Sequence, residues 1–235
     1  MHEPVKDYNG KQLAGISACV FDAYGTLFDV SSVARGAQDA LGERWQALSD
    51  LWRTKQLQYT WLRGLGGHHA DFWQVTGDAL DYAMGTLGIK DDELRARLMD
   101  LYLRIAAYPE VPAMLAELKS RGIKLAILSN GTPQMLAAAV ANSGIAEYFD
   151  AVLSVEEVGV FKPHPGVYGM APQRLDVSKE QICFLSSNGW DAFAAKAFGF
   201  RVLWCNRFGQ MPEHLPGTPD GEITDLSQLP ARLAR

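Results

Sequence analysis

This sequence predicts an α/β fold: a Rossmann-like parallel sheet core with an inserted helical cap domain. Three observations carry that expectation. Short apolar, β-rich runs alternate with helical patterns along most of the chain, as in a parallel sheet flanked by helices. Between the first two strand candidates, roughly eighty residues show helical periodicity and no convincing strand, far more than a crossover needs. Polar residues gather just after the strand candidates, at the edge where open α/β sheets bind ligands.

The first strand is expected at residues 16–22, where Cys19-Val20-Phe21 is apolar and Gly25-Thr26 stops the run. Asp22 then stands at the strand's C-terminal tip, where a carboxylate can act as a nucleophile and form an ester. Two places on comes Tyr24, an aromatic ring where a Mg²⁺ site would want a second oxygen ligand. The insertion occupies residues 30–107, leaving a core of 1–29 and 108–235. Within the insertion, Trp45, Leu48, Trp52, Tyr59 and Leu62 recur at helical spacing and are expected on one face. Asp91-Asp92-Glu93 places acid in the first turn of a later helix, where the macrodipole favours it.

Further strands are expected at 123–130, 149–155, 182–187 and 201–206. Helices at 112–121 and 133–143 are followed by Gly122 and Gly144, the residue type that closes helices in the left-handed region. Strand–helix–strand units in series imply right-handed crossovers. The Gly/Pro-rich segment 212–221 reads as a surface loop. The first dozen residues read as a frayed leader, without the apolar run of a secretory signal.

Composition narrows the function classes. At 48% hydrophobic and 21% charged, 235 residues suffice for a full core plus a smaller domain. A net charge of -5 speaks against a nucleic-acid partner, which wants a basic stripe. No run reaches the length of a membrane span. Cys19, Cys183 and Cys205 all fall in apolar, strand-like runs, and an odd set of buried thiols suits a reducing cytoplasm.

Four polar clusters converge on one sheet edge. The first is Asp22 with Thr26; the second is Ser129-Asn130-Gly131-Thr132. The third is Phe161-Lys162-Pro163-His164-Pro165 with Tyr168, and the fourth is Ser186-Ser187-Asn188-Gly189-Trp190-Asp191. In this order and spacing they resemble the haloacid dehalogenase superfamily, and within it the (S)-2-haloacid (L-2-haloacid, type II) dehalogenases. The likeness runs from about Ile16 to Asp225. It includes the insertion, where Leu51-Trp52-Arg53, Lys55-Gln56-Leu57 and Tyr59-Thr60-Trp61-Leu62-Arg63 look like that family's cap helix.

The resemblance implies hydrolysis of short (S)-2-haloacids to (R)-2-hydroxy acids and halide, with no cofactor and no metal. Asp22 would displace halide from C2 with inversion, and water would then attack the resulting ester at Asp22. Arg53, with Asn130, Phe72 and Trp190, would cradle the leaving halide, whose growing charge needs donors and positive charge. Ser129 and Lys162 would hold the substrate carboxylate or favour the ionised form of Asp22; Ala23 and Tyr24 would complete the binding site. Asp191, with Ser186, Asn188 and Lys162, would orient and deprotonate the hydrolytic water. Thr26 would hydrogen-bond Asp22, and Tyr168 would fix Lys162 or the water. The resemblance also implies a homodimer joined through the cap helices.

Blander readings exist for each residue. Asp22 and Ser129-Asn130 could cap helices, Lys162 could be an exposed loop lysine, and Arg53 could lie on a solvated helix face. Trp190 and Phe72 could be packing residues. His68-His69 have no third ligand at suitable spacing and read as a solvent-facing loop pair; Cys19 reads as an inert core thiol. Two other functions remain open at this stage. A Mg²⁺-dependent phosphatase of the same superfamily would need acids where Tyr24 and Ser187 stand. A non-catalytic binding module on the same fold would need none of this chemistry. Assays of phosphate and halide release, with and without Mg²⁺, separate them.

Overall fold

Continuous apolar runs become buried strands because helices cover both faces of a parallel sheet. The computed structural model describes residues 12–234, so the expected leader up to Lys11 lies outside the described residues. Gln12 itself is tied down, its Nε2 donating to the carbonyl of Ala231 at 3.0 Å. The strands are β1 (Ala18–Phe21), β2 (Lys124–Ser129), β3 (Ala151–Ser154), β4 (Ile182–Ser186), β5 (Arg201–Cys205) and β6 (Gly221–Ile223). They form one parallel sheet in the order β3-β2-β1-β4-β5-β6. All four residues of β1 are buried, and the strand sits between β2 and β4. The chain runs outward from β1 in one direction and then the other. That reversal is the topological switch point, and its carboxyl edge is where such sheets place a ligand site.

The five expected strands all form, each one to three residues shorter than its apolar run. The sixth, β6, was not foreseen: it begins at Gly221, inside the segment expected to be loop, and three residues are too few to show a period.

The insertion folds as α1 (Ser31–Arg35), α2 (Gln38–Leu41), α3 (Trp45–Gly66), α4 (Phe72–Thr86) and α5 (Asp92–Leu103). Asp71 caps α4 through the N–H of Gln74, and Asp91 caps α5 through the N–H of Leu94, each satisfying an otherwise orphaned donor. Gly67, at φ 70°, closes α3 in the left-handed region. Where the chain leaves and re-enters the sheet layer, Phe28 and Ala107 form an antiparallel bridge. Around it, the N–H of Tyr108 donates to Leu27 at 2.9 Å.

The buried face of α3 differs from the expected stripe. Leu48, Ser49, Trp52, Gln56 and Thr60 are buried, whereas Leu62 is 58% exposed. Leu62 lies about 100° round the helix from the middle of the 48–52–56–60 row, at 100° per residue. Two polar side chains extend the row instead, and both have partners inside the cap.

Returning to the sheet, the chain forms α6 (Val111–Ser120), α7 (Pro133–Asn142), α8 (Pro165–Tyr168), α9 (Met170–Leu175), α10 (Gly189–Phe198) and α11 (Leu229–Arg232). Thr132 caps α7 through the N–H of Met135. The three cysteines are free and buried. Among the described residues, no helix is long and apolar enough to cross a membrane.

Candidate active site

Asp22 follows β1 directly, its N–H donating to Leu185 of β4 at 2.8 Å. This anchors the carboxylate at the switch point, 7% exposed. Its Oδ2 accepts from three side chains: Thr26 Oγ1 at 3.0 Å, Ser186 Oγ at 3.3 Å and Asn188 Nδ2 at 2.7 Å. Its Oδ1 accepts from Lys162 Nζ at 3.2 Å. Thr26 is held in turn: its Oγ1 accepts from the Ser187 N–H, and its carbonyl accepts from Arg207. The turn closes on Ala23, whose carbonyl accepts the N–H of Leu27 at 2.9 Å.

Lys162, 1% exposed, reaches this edge from the loop after β3. Its ammonium lies 3.2 Å from Asp22 and 2.8 Å from Asp191 Oδ2. Burial opposes the charged lysine, but the Asp191 and Asp22 carboxylates outweigh it, so its pKa lies above the ordinary value. Asp191, fully buried in the first turn of α10, also accepts from Tyr168 at 2.7 Å. Burial pushes the Asp191 carboxyl above the usual range, against the pull of the Lys162 charge. Lys162 is therefore no exposed loop lysine; it clamps two acids together.

On the far side stands the cap. Arg53 leaves α3 and crosses to the core, where Nη2 donates to the Tyr24 carbonyl at 3.3 Å and to Asn188 Oδ1 at 3.2 Å. It does not lie on a solvated helix face. Asn130 turns its carbonyl to the N–H of Lys162 at 3.0 Å, which leaves its NH₂ as the donor for the pocket. Ser129 lines the same pocket and accepts from the N–H of Gly131 at 3.0 Å, so it stabilises the turn as well. The Tyr24 ring packs 5.9 Å from Phe72 and 5.3 Å from Tyr102. A Cβ on Gly131 would come within 2.7 Å of it, so only glycine fits there. Asp22, Tyr24, Arg53, Leu57, Phe72, Ser129, Asn130, Asn188 and Trp190 enclose a cavity of about 10 Å³, room for roughly one water.

The residues expected to carry catalysis or binding gather at this edge, around a carboxylate, an ammonium and a guanidinium. The family model of the haloacid dehalogenase-like hydrolases matches residues 16–199. The chain is 48% identical over 212 residues to an (S)-2-haloacid dehalogenase of Pseudomonas sp. strain YL, covering 90% of this chain and 91% of that one. It is 50% identical over 196 residues to the (S)-2-haloacid dehalogenase of Xanthobacter autotrophicus, covering 83% and 77%. The chain belongs to the (S)-2-haloacid dehalogenase family. Among solved structures, a dehalogenase in an intermediate complex superimposes with a TM-score of 0.92 at 42% identity, over 94% of this chain and 99% of that one. The L-2-haloacid dehalogenase of Xanthobacter autotrophicus with chloropropionic acid covalently bound superimposes at 0.85 and 42% identity, over 92% and 97%.

Against the background of this haloacid dehalogenase fold, several residues had escaped sequence reasoning. Leu57 lines the pocket; it lies four residues after Arg53, and that spacing could have revealed it. Gln56 accepts from Arg53 at 2.7 Å. Arg207 holds the Thr26 carbonyl at 2.9 Å from a loop no local pattern connects to it. The histidine pair faces solvent as expected, His68 and His69 both being exposed. His69 nonetheless makes contacts, its ring lying 4.8 Å from that of Phe161. His69 Nε2 sits 2.9 Å from Glu156 Oε2, and Glu156 Oε1 accepts the N–H of Phe72 at 3.3 Å. This pair fastens the cap to the core beside the pocket.

Proposed function

We propose that this chain hydrolyses short-chain (S)-2-haloacids to (R)-2-hydroxy acids and halide through an aspartyl ester on Asp22, without a metal. The carrying observation is the unequal treatment of the two Asp22 oxygens. Oδ2 accepts three hydrogen bonds, whereas Oδ1 faces a single ammonium. Oδ1 is the oxygen that attacks C2. Its C–O bond forms as the carbon–halogen bond breaks on the opposite side, and the halide takes the bonding pair. Arg53, Asn130 and Trp190, with Phe72 as an apolar wall, receive it, while Lys162 and Ser129 hold the substrate carboxylate. Holding the reactants in line accounts for about 7–11 kcal/mol of barrier.

In the second step Asp191 takes a proton from water, and the resulting oxygen adds to the Asp22 carbonyl carbon. The charge that develops on Oδ2 meets Thr26, Ser186 and Asn188, an oxyanion hole already in place. Collapse breaks the bond between the Asp22 carboxyl carbon and Oδ1. The departing alkoxide takes the remaining proton of the added water and leaves as the 2-hydroxy acid with its C2–O bond intact, so C2 is inverted once. The Asp191 proton leaves to solvent.

The donor set supports a metal-free reading. The two acids of the site, Asp22 and Asp191, share the Lys162 ammonium, while Tyr24 and Ser187 stand where further oxygen ligands for Mg²⁺ would be needed. Cytoplasmic location is supported by the three buried free thiols. Assembly as a homodimer through the cap is supported by Trp61, Leu62 and Leu65, 39%, 58% and 90% exposed on α3. Trp61 and Leu65 line an apolar groove of about 930 Å³ between α3 and α10, and sedimentation velocity reads the state directly. The partners are the 2-haloacid and the halide, not nucleic acid or membrane.

The test is halide release from (S)-2-chloropropionate in the presence of EDTA. The wild type is expected to turn over undiminished. Asp22→Asn is expected to lose at least about 10⁴-fold in kcat, as when a catalytic nucleophile or its partner is removed. Halide release that needs Mg²⁺, or that survives in Asp22→Asn, contradicts the proposal.

A further inference from the structure

The buried face of α3 carries a glutamine with no role in the chemistry above. Gln56 is 1% exposed, and an amide buried without partners is destabilising. All of its polar atoms are engaged. Nε2 donates to Thr76 Oγ1 at 2.7 Å and to the Tyr102 hydroxyl at 3.1 Å, and Oε1 accepts from Arg53 Nη1 at 2.7 Å.

The direction of the amide follows from its neighbours. Thr76 Oγ1 lies 2.6 Å from the carbonyl of Phe72. A carbonyl can only accept, so the hydroxyl hydrogen of Thr76 is committed there. Thr76 must then accept from Gln56, which puts the amide nitrogen on that side and its oxygen towards Arg53. Thr76 and Phe72 belong to α4 and Tyr102 to α5, so the amide is braced by the rest of the cap.

Arg53 also donates to the Tyr102 hydroxyl, itself held by Gln56, while its contacts to Asn188 and the Tyr24 carbonyl are looser, at 3.2 and 3.3 Å. The short bond to Gln56, with the Tyr102 that Gln56 braces, therefore sets the rotation of the guanidinium plane. It also does so without charge. A carboxylate in that place would neutralise the guanidinium, whereas an amide orients it and leaves its positive field for an anion.

We propose that Gln56 is a positioning residue for halide departure: it aims Arg53 and keeps its charge uncompensated. This rests on the dehalogenation proposed above. Chloride leaves less readily than bromide and needs more stabilisation at the transition state, so misdirecting Arg53 must penalise chloride more. Gln56→Glu keeps the size of the side chain and cancels the charge; Gln56→Met keeps the length and removes the orienting oxygen.

The experiment measures pre-steady-state halide bursts with (S)-2-chloropropionate and (S)-2-bromopropionate in an Asp191→Asn background, where the ester does not turn over. Burst amplitude counts competent enzyme, so partial misfolding is corrected for. The expected result is a burst rate for chloride at least about tenfold lower in both variants, with a loss for bromide at least about threefold smaller. Equal losses for the two halides, or none, would overturn the proposal. So would full rescue of the chloride rate by Glu. If neither variant yields competent enzyme, Gln56 is structural and the proposal falls. A wild type that releases neither halide would sink the dehalogenase reading itself, a separate outcome.

Discussion

Asp191→Asn is expected to release one equivalent of halide per chain in a burst and then stall. The first step needs Asp22, Arg53 and the substrate clamp, none of which is replaced. The second needs a base, and an amide cannot take the proton from water. Loss of a positioned general base costs about 10²–10⁴-fold, so the ester should accumulate. Intact-mass measurement should then show the chain heavier by the substrate minus hydrogen halide, and proteolysis should place the increment on the peptide containing Asp22. In the wild type the same intermediate should build up as pH falls. Burial pushes the Asp191 carboxyl above the usual range, and once protonated it cannot act as a base. A variant with no burst would mean that Asp191 acts before the carbon–halogen bond breaks.

Lys162→Met is expected to give the largest loss of stability of any single change at the site. Asp22 and Asp191 are 7% and 0% exposed and share this one ammonium. Removing it leaves two carboxylates in a dry site, a penalty of about 3–5 kcal/mol. For a chain of this size that corresponds to a fall in Tm of roughly 6–20 °C. The pH dependence has a definite sign. Lysine with a raised folded pKa contributes stability that is fully present below its unfolded pKa. That contribution is lost only as pH rises through the folded pKa. The gap between wild type and variant should therefore hold through neutral pH and close at strongly alkaline pH. It should also narrow in acid, where protonation relieves the stranded carboxylates. Thermal melts across the pH range check both ends. Equal Tm values at neutral pH would show that the ammonium does not hold the pair together.

Much of this site is legible in the sequence because a parallel sheet delivers successive strand tips to one edge. Once the runs at 16–22, 123–130 and 182–187 are recognised as strands, Asp22, Ser129, Asn130, Ser186 and Asn188 must meet. Their contacts need no long-range information beyond the strand order. Lys162 and Tyr168 are less local, since their loop could have run past the edge; only the resemblance to the family brought them to the site, with Tyr168 expected on Lys162 or the water, whereas its hydroxyl donates to Asp191. The cap residues were harder still. A glutamine in an apolar row looks like an exposed position, because its partners Thr76 and Tyr102 are distant in sequence. Glu156 and Arg207 were invisible for the same reason: each supports the site from an element whose own pattern gives no hint of it. The three-residue β6 escaped because it is shorter than any window in which alternation can be counted.

Isotope transfer in a single turnover tests the ester most directly. Wild-type enzyme in excess over (S)-2-chloropropionate is allowed one cycle in ¹⁸O-water, and enzyme and product are analysed separately. The expected result is label in the Asp22 carboxylate and none in the new hydroxyl of the product, because that oxygen came from the protein. Label in the product hydroxyl after one turnover, with Asp22 unlabelled, would show water attacking C2 itself and would contradict covalent catalysis by this residue.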